Sequence, residues 1–163
     1  MFGPYVHDID PIFAELGGVY FWWYGASYTL GFLAGYFWLR ANRKTLDFSA
    51  GDVYKLTIYI ALGVLLGGRT VEVIFYEWPY YSEHLWHVPA IWLGGMSTHG
   101  ILLGSTLAVI LFCYLNRRSF LEVADVLAIA AAFIMGFGRL GNFIDGQIVG
   151  SLTEVPWGVK FPD

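Results

Sequence analysis

Four long apolar segments constrain the fold of this chain more than any other feature of its sequence. They cover roughly residues 19–39, 56–75, 100–115 and 123–143. A helix needs roughly 17–25 mostly apolar residues to cross the hydrocarbon core of a bilayer. Only 13% of the side chains are charged, whereas soluble domains carry about 25%. The sequence therefore predicts an all-α integral membrane protein, with about four transmembrane helices in a single domain over residues 1–163.

The distribution of basic residues predicts the orientation of these spans. The amino-terminal segment and the second loop contain no Lys or Arg, whereas the first and third loops contain six of the nine: Arg40, Arg43, Lys44, Lys55, Arg117 and Arg118. Because cytoplasmic loops hold the positive charge, we expect the amino terminus and the second loop outside, with residues 144–163 as an outer tail. The amino terminus lacks the basic start of a cleavable signal peptide, so the first span is expected in the mature protein.

Other local patterns complete the predicted architecture. The aromatic second loop and the apolar residues 90–95 favour an interfacial or re-entrant segment, because Trp and Tyr collect at the membrane surface. Small residues at helical spacing, Gly31 with Gly35 and Gly63 with Gly67, would let neighbouring helices approach closely. We interpret these glycines as packing positions of the helical bundle.

Two arginines lie within or at the end of apolar spans, where a charged side chain costs about 2.5–3.5 kcal/mol on insertion scales. Arg69 has Glu72 one helical turn away, and an ion pair between them would be a structural solution. Arg139 has no such neighbour upstream. Its guanidinium matches phosphate geometry, which favours a phospholipid headgroup as its partner.

Polar residues follow Arg139 at the end of the fourth span. Asn142 comes one turn later on the same helix face, and Asp145, Gln147 and Gly150 occupy the glycine-broken stretch beyond it. A helix that ends near Gly146 would present amide and carboxylate groups at the membrane surface. The pattern predicts a polar pocket, although a simple exit turn could have the same composition.

The histidines carry weaker signals. His99, at the outer start of the third span, could act as a general base near neutral pH, but a lone histidine is more often a hydrogen-bonded interfacial residue. His84, His87 and His99 lack a Cys, Asp or Glu that would complete a zinc site, so no metal site is predicted. The single Cys113 lies in an apolar run and is interpreted as an inert buried thiol.

Taken together, these segments resemble the family of prolipoprotein diacylglyceryl transferases. Residues 138–150 are similar to its usual signature, Gly-Arg-x-Gly-Asn-Phe-x-Asn-x-Glu with a later Gly. Residues 92–100 are similar to its Trp-x-Gly-Gly-Met-Ser-Phe-His-Gly segment, and shorter matches occur at residues 9–11, 23–32 and 67–76. The resemblance runs in order over essentially the whole chain, and its specificity comes from this order.

The resemblance implies transfer of diacylglyceryl from phosphatidylglycerol to the lipobox cysteine thiol of a preprolipoprotein, at the outer face of the bacterial inner membrane. A thioether forms and glycerol phosphate leaves. The expected catalytic residues are His99, Arg139 and Tyr24. The expected substrate-binding residues are Arg139, Asn142, Asp145, Gln147 and Gly150. No cofactor and no nucleic-acid partner are expected.

Departures from the family pattern keep a second hypothesis open. Asp145 stands where Asn is usual, Gln147 where Glu is usual, and Thr98 where Phe is usual. Family members typically continue through further spans that carry a second arginine, which has no counterpart here. The chain is therefore expected to be a fragment of a transferase or a short homologue, and the alternative function is a catalytically silent lipid-binding or assembly module. A channel subunit ranks third, because no broken helix pair or repeat is visible.

Overall fold

The computed structural model describes residues 5–90 and 95–161. Positions 91–94 of the predicted 90–95 segment, which include motif position 92, therefore lie outside the described residues. The chain divides into two compact units, residues 1–38 with 128–163, and residues 39–127. The helices are α1 (Trp23–Ala41), α2 (Ala50–Val71), α3 (Trp78–Glu83), α4 (Thr98–Asn116) and α5 (Phe120–Ile144). The strands are β1 (Tyr5–Val6), β2 (Ile12–Leu16), β3 (Val19–Trp22) and β4 (Val159–Lys160).

Within the described residues, three helices are long and apolar enough to cross a membrane: Ala50–Tyr76, Thr98–Asn116 and Phe120–Ile144. The first of these joins α2 to a single π-helical stretch, Glu72–Tyr76. The helical membrane class predicted from the sequence is thereby confirmed. Because α1 is rich in Trp, Tyr and Gly, its hydropathy is lower, and a fourth crossing within one transmembrane domain stays a prediction.

The predicted first span begins too early. Residues 19–22 form β3, which pairs with β2 in an antiparallel hairpin, and α1 begins only at Trp23. Gly17 and Gly18 both have positive φ and form the two-residue turn between Leu16 and Val19. A turn of this kind needs positive φ at both central residues. An apolar run of four residues serves a strand as well as a helix, which is why hydropathy alone misplaced this boundary.

Helices α2 and α4 pack through glycines in the unit of residues 39–127. A Cβ at Gly104 would contact the Gly63 carbonyl oxygen and lie 2.8 Å from the Gly67 Cα. A Cβ at Gly67 would contact the Gly100 carbonyl oxygen. The backbones therefore approach as closely as small residues allow, and the packing role predicted for Gly63 and Gly67 is confirmed.

The same unit brings the first and third loops together. Arg118 donates to the Leu46 carbonyl at 3.4 Å, lies 3.7 Å from the Asp47 carboxylate and stacks on the Phe48 ring at 5.1 Å. These are the two loops that the positive-inside rule assigns to one side of the membrane. Their contact agrees with that assignment.

Arg69 is an anchor for the second loop rather than a free charge. Its side chain is 5% exposed and donates to the carbonyls of His87, Val88, Ala90 and Gly95 at 2.6–3.2 Å. The guanidinium also lies 4.9 Å from the centre of the Tyr81 ring. These contacts explain how a charge is retained here, while the predicted ion pair with Glu72 stays a prediction.

Helices α1 and α5 pack together in the other unit. A Cβ at Gly31 would lie 2.9 Å from the Ile134 Cα, and one at Gly35 would lie 3.4 Å from the Ala130 Cβ. Toward the opposite end of the interface, a Cβ at Gly141 would lie 3.1 Å from the Tyr24 Cα. The helices therefore run antiparallel, and the end of α5 lies beside the beginning of α1.

Candidate functional site

The carboxyl end of α5 is closed by a glycine turn. Gly146 has a φ of +64°. Its backbone N–H donates to the Phe143 carbonyl at 3.1 Å, and the backbone N–H of the next residue, Gln147, donates to the Asn142 carbonyl at 2.8 Å. This pair of hydrogen bonds is a Schellman motif, in which glycine takes the left-handed conformation. The helix therefore ends where the sequence predicted, and the chain turns back along its last turn.

This turn places Gln147 next to Asn142. The Asn142 amide donates to the Gln147 side-chain oxygen at 3.5 Å, and Asn142 is only 8% exposed. Arg139 precedes Asn142 by one turn and is exposed. No described side chain forms a hydrogen bond or ion pair with the Arg139 guanidinium.

Four of the predicted site residues line one cavity of about 360 Å³: Arg139, Asn142, Gln147 and Gly150. The remaining wall comes from Phe143 of α5 and from the tail, where Val159 and Phe161 return over the helix end. The cavity thus combines one guanidinium, two carboxamides and the hydroxyl residues Ser151 and Thr153 with apolar residues. Such a set of donors is suited to an anionic, partly apolar ligand such as a phospholipid headgroup.

Tyr24 lies at the edge of this arrangement, on the first turn of α1. Its side chain interacts with those of Tyr28 and Asn142, and its ring is 4.9 Å from that of Tyr28. The Tyr28 ring in turn covers Gly138, where a Cβ would lie 2.7 Å from the ring. Tyr24 therefore lies against the turn of α5 that carries Asn142.

Asp145 was predicted in the substrate pocket, but it is not among the residues that line the cavity. Its carboxyl oxygen Oδ1 is buried and has no hydrogen-bond partner among the described residues. Burial raises the pKa of the Asp145 carboxyl, because desolvation disfavours the charged form. Its predicted substrate contact stays a prediction.

His99 lies in the other unit, on the first turn of α4. The Ser97 hydroxyl caps that helix by accepting from the Gly100 N–H at 3.2 Å. The His99 Nδ1 is 3.1 Å from the Tyr76 hydroxyl. Sequence reasoning missed Tyr76, because only the packing of the Ala50–Tyr76 helix on α4 brings it to His99.

Sequence reasoning also missed the amino-terminal and carboxy-terminal segments that support the cavity. β1 pairs in parallel with β4, and the backbone N–H of His7 donates to the Lys160 carbonyl at 2.9 Å. The His7 ring packs against Phe143 and Phe161, at 5.2 and 4.9 Å between ring centres. No local pattern in the sequence indicates this contact between its two ends.

Over the described part of the chain, no three His, Cys, Asp or Glu side chains converge as metal ligands.

These features define a class: a helical membrane protein with a cationic, amide-lined cavity at the end of a membrane-length helix. A family model described as prolipoprotein diacylglyceryl transferase matches residues 11–163. The chain belongs to this family, as the sequence motifs predicted.

Curated relatives of the chain carry the name phosphatidylglycerol–prolipoprotein diacylglyceryl transferase. One from Geobacter sulfurreducens is 46% identical over 156 residues, which cover 94% of this chain and 60% of the relative. One from Legionella pneumophila is 40% identical over 158 residues, covering 95% and 61%. One from Aliivibrio fischeri is 40% identical over 157 residues, covering 94% and 56%. The chain spans about three fifths of the length of the curated relatives it matches.

Proposed function

We propose that this chain takes part in transferring diacylglyceryl from phosphatidylglycerol to the lipobox cysteine thiol of a preprolipoprotein. The observation that carries the proposal is the single cavity in which Arg139, Asn142, Gln147 and Gly150 meet. These positions match the family signature, and the relatives that share it are named for this reaction. The phosphodiester of the lipid headgroup is the proposed ligand of the cavity.

Arg139 is the proposed phosphate ligand. Its guanidinium offers planar, bidentate donors of the kind that match phosphate oxygens. Since no described side chain pairs with it, an anionic headgroup would supply the partner that a charge at a membrane surface requires. The Asn142 amide, which donates to the Gln147 side chain, is the proposed uncharged donor beside it.

The proposed reaction is a nucleophilic substitution at the glyceryl carbon that carries the phosphate. The thiolate sulfur forms a bond to that carbon, while the bond from carbon to the phosphoester oxygen breaks and its electron pair leaves with glycerol phosphate. The thiol proton must be removed, because the thiolate is the nucleophile, and His99 is the proposed acceptor. A cation at the phosphate stabilises the charge that develops on the leaving group.

The proposed location is the outer face of the bacterial inner membrane. The basic first and third loops favour the cytoplasmic side for those loops. The end of α5, with Arg139, then faces outward. That is the side on which a preprolipoprotein presents its lipobox after export, so both substrates would meet the cavity there.

The test uses the chain reconstituted in vesicles that contain labelled phosphatidylglycerol, together with a lipobox peptide. Arg139→Ala is expected to abolish transfer of label to the peptide. Arg43→Ala, which removes one cation from the first loop, is the matched control and should keep activity within about twofold, as for a surface substitution. Equal activity in Arg139→Ala and the unaltered chain would overturn the assignment.

The alternative function, a lipid-binding module without transfer, has its own outcome in this design. It is favoured by Gln147, whose amide cannot take a proton as the usual Glu could. In that case phosphatidylglycerol would bind to the unaltered chain and less well to Arg139→Ala, while the peptide would gain no label from either.

A further inference from the structure

The hydrogen bond between Tyr76 and His99 is a further feature with chemical consequences. The Tyr76 hydroxyl lies 3.1 Å from the His99 Nδ1, within the range of a hydrogen bond. No other described group hydrogen-bonds to the His99 ring. The imidazole is therefore held at one nitrogen, and its Nε2 is left uncommitted.

Tyr76 lies in the π-helical stretch that continues α2. Residues 72–76 form a π-helix, in which the Glu77 N–H donates to the Glu72 carbonyl at 3.1 Å instead of to the residue four positions back. Tyr76 is the last residue of this π-turn. Single π-turns of this kind occur frequently at functional sites.

Helix α4, which carries His99, is held closely against α2. Glycine packing brings the amino end of α4 against the carboxyl end of α2, where a Cβ at Gly100 would contact the Gly67 carbonyl. The Ser97 N–H also donates to the Gly68 carbonyl at 3.1 Å. Two helix ends joined by backbone contacts leave little freedom in the distance between Tyr76 and His99.

We propose that Tyr76 is a positioning residue that fixes the ring orientation and the tautomer of His99. This inference rests on the proposed function, in which His99 accepts the thiol proton. A ring that accepts a proton at Nε2 must carry its own hydrogen at Nδ1, so the Tyr76 oxygen accepts a hydrogen bond from Nδ1–H. The partner of one ring nitrogen sets the state of the other in this way.

Tyr76→Phe removes only the hydroxyl and keeps the aromatic ring. The loop offers a matched control, because the Tyr80 hydroxyl lies 2.7 Å from the His87 Nδ1 in an equivalent pair that does not include His99. In the transfer assay, we expect Tyr76→Phe to lower kcat by about tenfold or more, as loss of tautomer control does in other enzymes. The KM for phosphatidylglycerol should stay within about twofold, and Tyr80→Phe should leave both constants within about twofold.

A second measurement does not depend on turnover. Nitrogen NMR of the 15N-histidine-labelled chain in micelles distinguishes the two neutral tautomers, and His99→Gln assigns the His99 signals. We expect the Nδ1–H tautomer at His99 in the unaltered chain, a mixture of tautomers in Tyr76→Phe, and no change at His99 in Tyr80→Phe.

The two measurements separate failure of this inference from failure of the proposed function. A chain that transfers no lipid but shows the tautomer change would contradict the proposed function and support the role of Tyr76. A chain that transfers lipid equally well with and without the Tyr76 hydroxyl, or whose His99 signals are the same in both forms, would overturn the role of Tyr76.

Discussion

The Asn142 amide donates to the Gln147 side-chain oxygen across the turn that ends α5, at 3.5 Å. The Gln147 backbone N–H donates in return to the Asn142 carbonyl at 2.8 Å. These two residues, which both line the cavity, are thus joined by one side-chain and one backbone hydrogen bond. Because Asn142 is buried, its orientation depends on the few polar partners it has.

Gln147→Ala tests this coupling. The substitution removes the side-chain oxygen that accepts from the Asn142 amide and leaves this buried donor without a partner there. We therefore expect the free energy of unfolding to fall by about 1 kcal/mol. Gln147→Glu keeps an acceptor at the same place and is the control that should retain stability. Denaturation in detergent micelles measures both, and an unchanged stability of Gln147→Ala would contradict the coupling.

Gly104→Ala tests the glycine contact between α2 and α4. The added methyl group would contact the Gly63 carbonyl and lie 2.8 Å from the Gly67 Cα, so one backbone must move. We expect a loss of about 1–3 kcal/mol, as for other overpacked sites. Gly136→Ala on α5 is the control: a Cβ there meets nothing within 4 Å, and replacing glycine inside a helix should stabilise it by about 0.5–1 kcal/mol. Equal effects in the two variants would exclude a specific contact at Gly104.

Hydropathy predicted the central part of three helices, but polar N-terminal caps determined where two of them begin. The span predicted at 56–75 lies within the helix Ala50–Tyr76. The helix begins six residues earlier than predicted, because Ser49 and Asp52 form a capping box ahead of the apolar stretch. The predicted span 100–115 became α4, which Ser97 caps. Hydropathy identifies the apolar part of a helix, which lies in the hydrocarbon core. Capping side chains accept hydrogen bonds from the first N–H groups of the helix, which lie beyond that apolar part.

The candidate site was predictable only as far as its residues are close in sequence. Helical spacing placed Arg139 and Asn142 on one face, and Gly146 indicated the turn that brings back Gln147. The return of Phe161 over the cavity depends on pairing between the two ends of the chain. The Tyr76–His99 contact depends on the packing of two helices. Neither tertiary contact leaves a periodic pattern in the sequence.

Asp145→Asn tests the effect of the buried carboxyl on stability. Burial raises the pKa of Asp145 in the folded chain, so the fold favours the protonated acid, and ionisation at neutral pH destabilises it. We expect Asp145→Asn to unfold at a higher temperature than the unaltered chain at neutral pH. The difference should shrink as the pH falls through the raised pKa, because both chains are then uncharged at this position.

The exposed Asp8 in the same unit provides the control for that experiment. Asp8→Asn removes a solvated carboxylate and should leave stability at neutral pH within about 0.5 kcal/mol. A constant difference between Asp145→Asn and the unaltered chain from acid to neutral pH would contradict an effect of ionisation.

Arg69→Lys tests whether the second loop depends on the planar guanidinium. Arg69 donates to four backbone carbonyls between His87 and Gly95, and an ammonium group has neither the reach nor the fixed fork to serve them all. We expect a loss of about 3 kcal/mol, since hydrogen bonds to charged groups contribute more than neutral ones, together with faster proteolysis within residues 77–90. Arg43→Lys is the control with the same chemical change in the first loop. If both variants resist proteolysis as the unaltered chain does, the loop is held by its aromatic contacts, such as Tyr81, and the carbonyl contacts of Arg69 are dispensable.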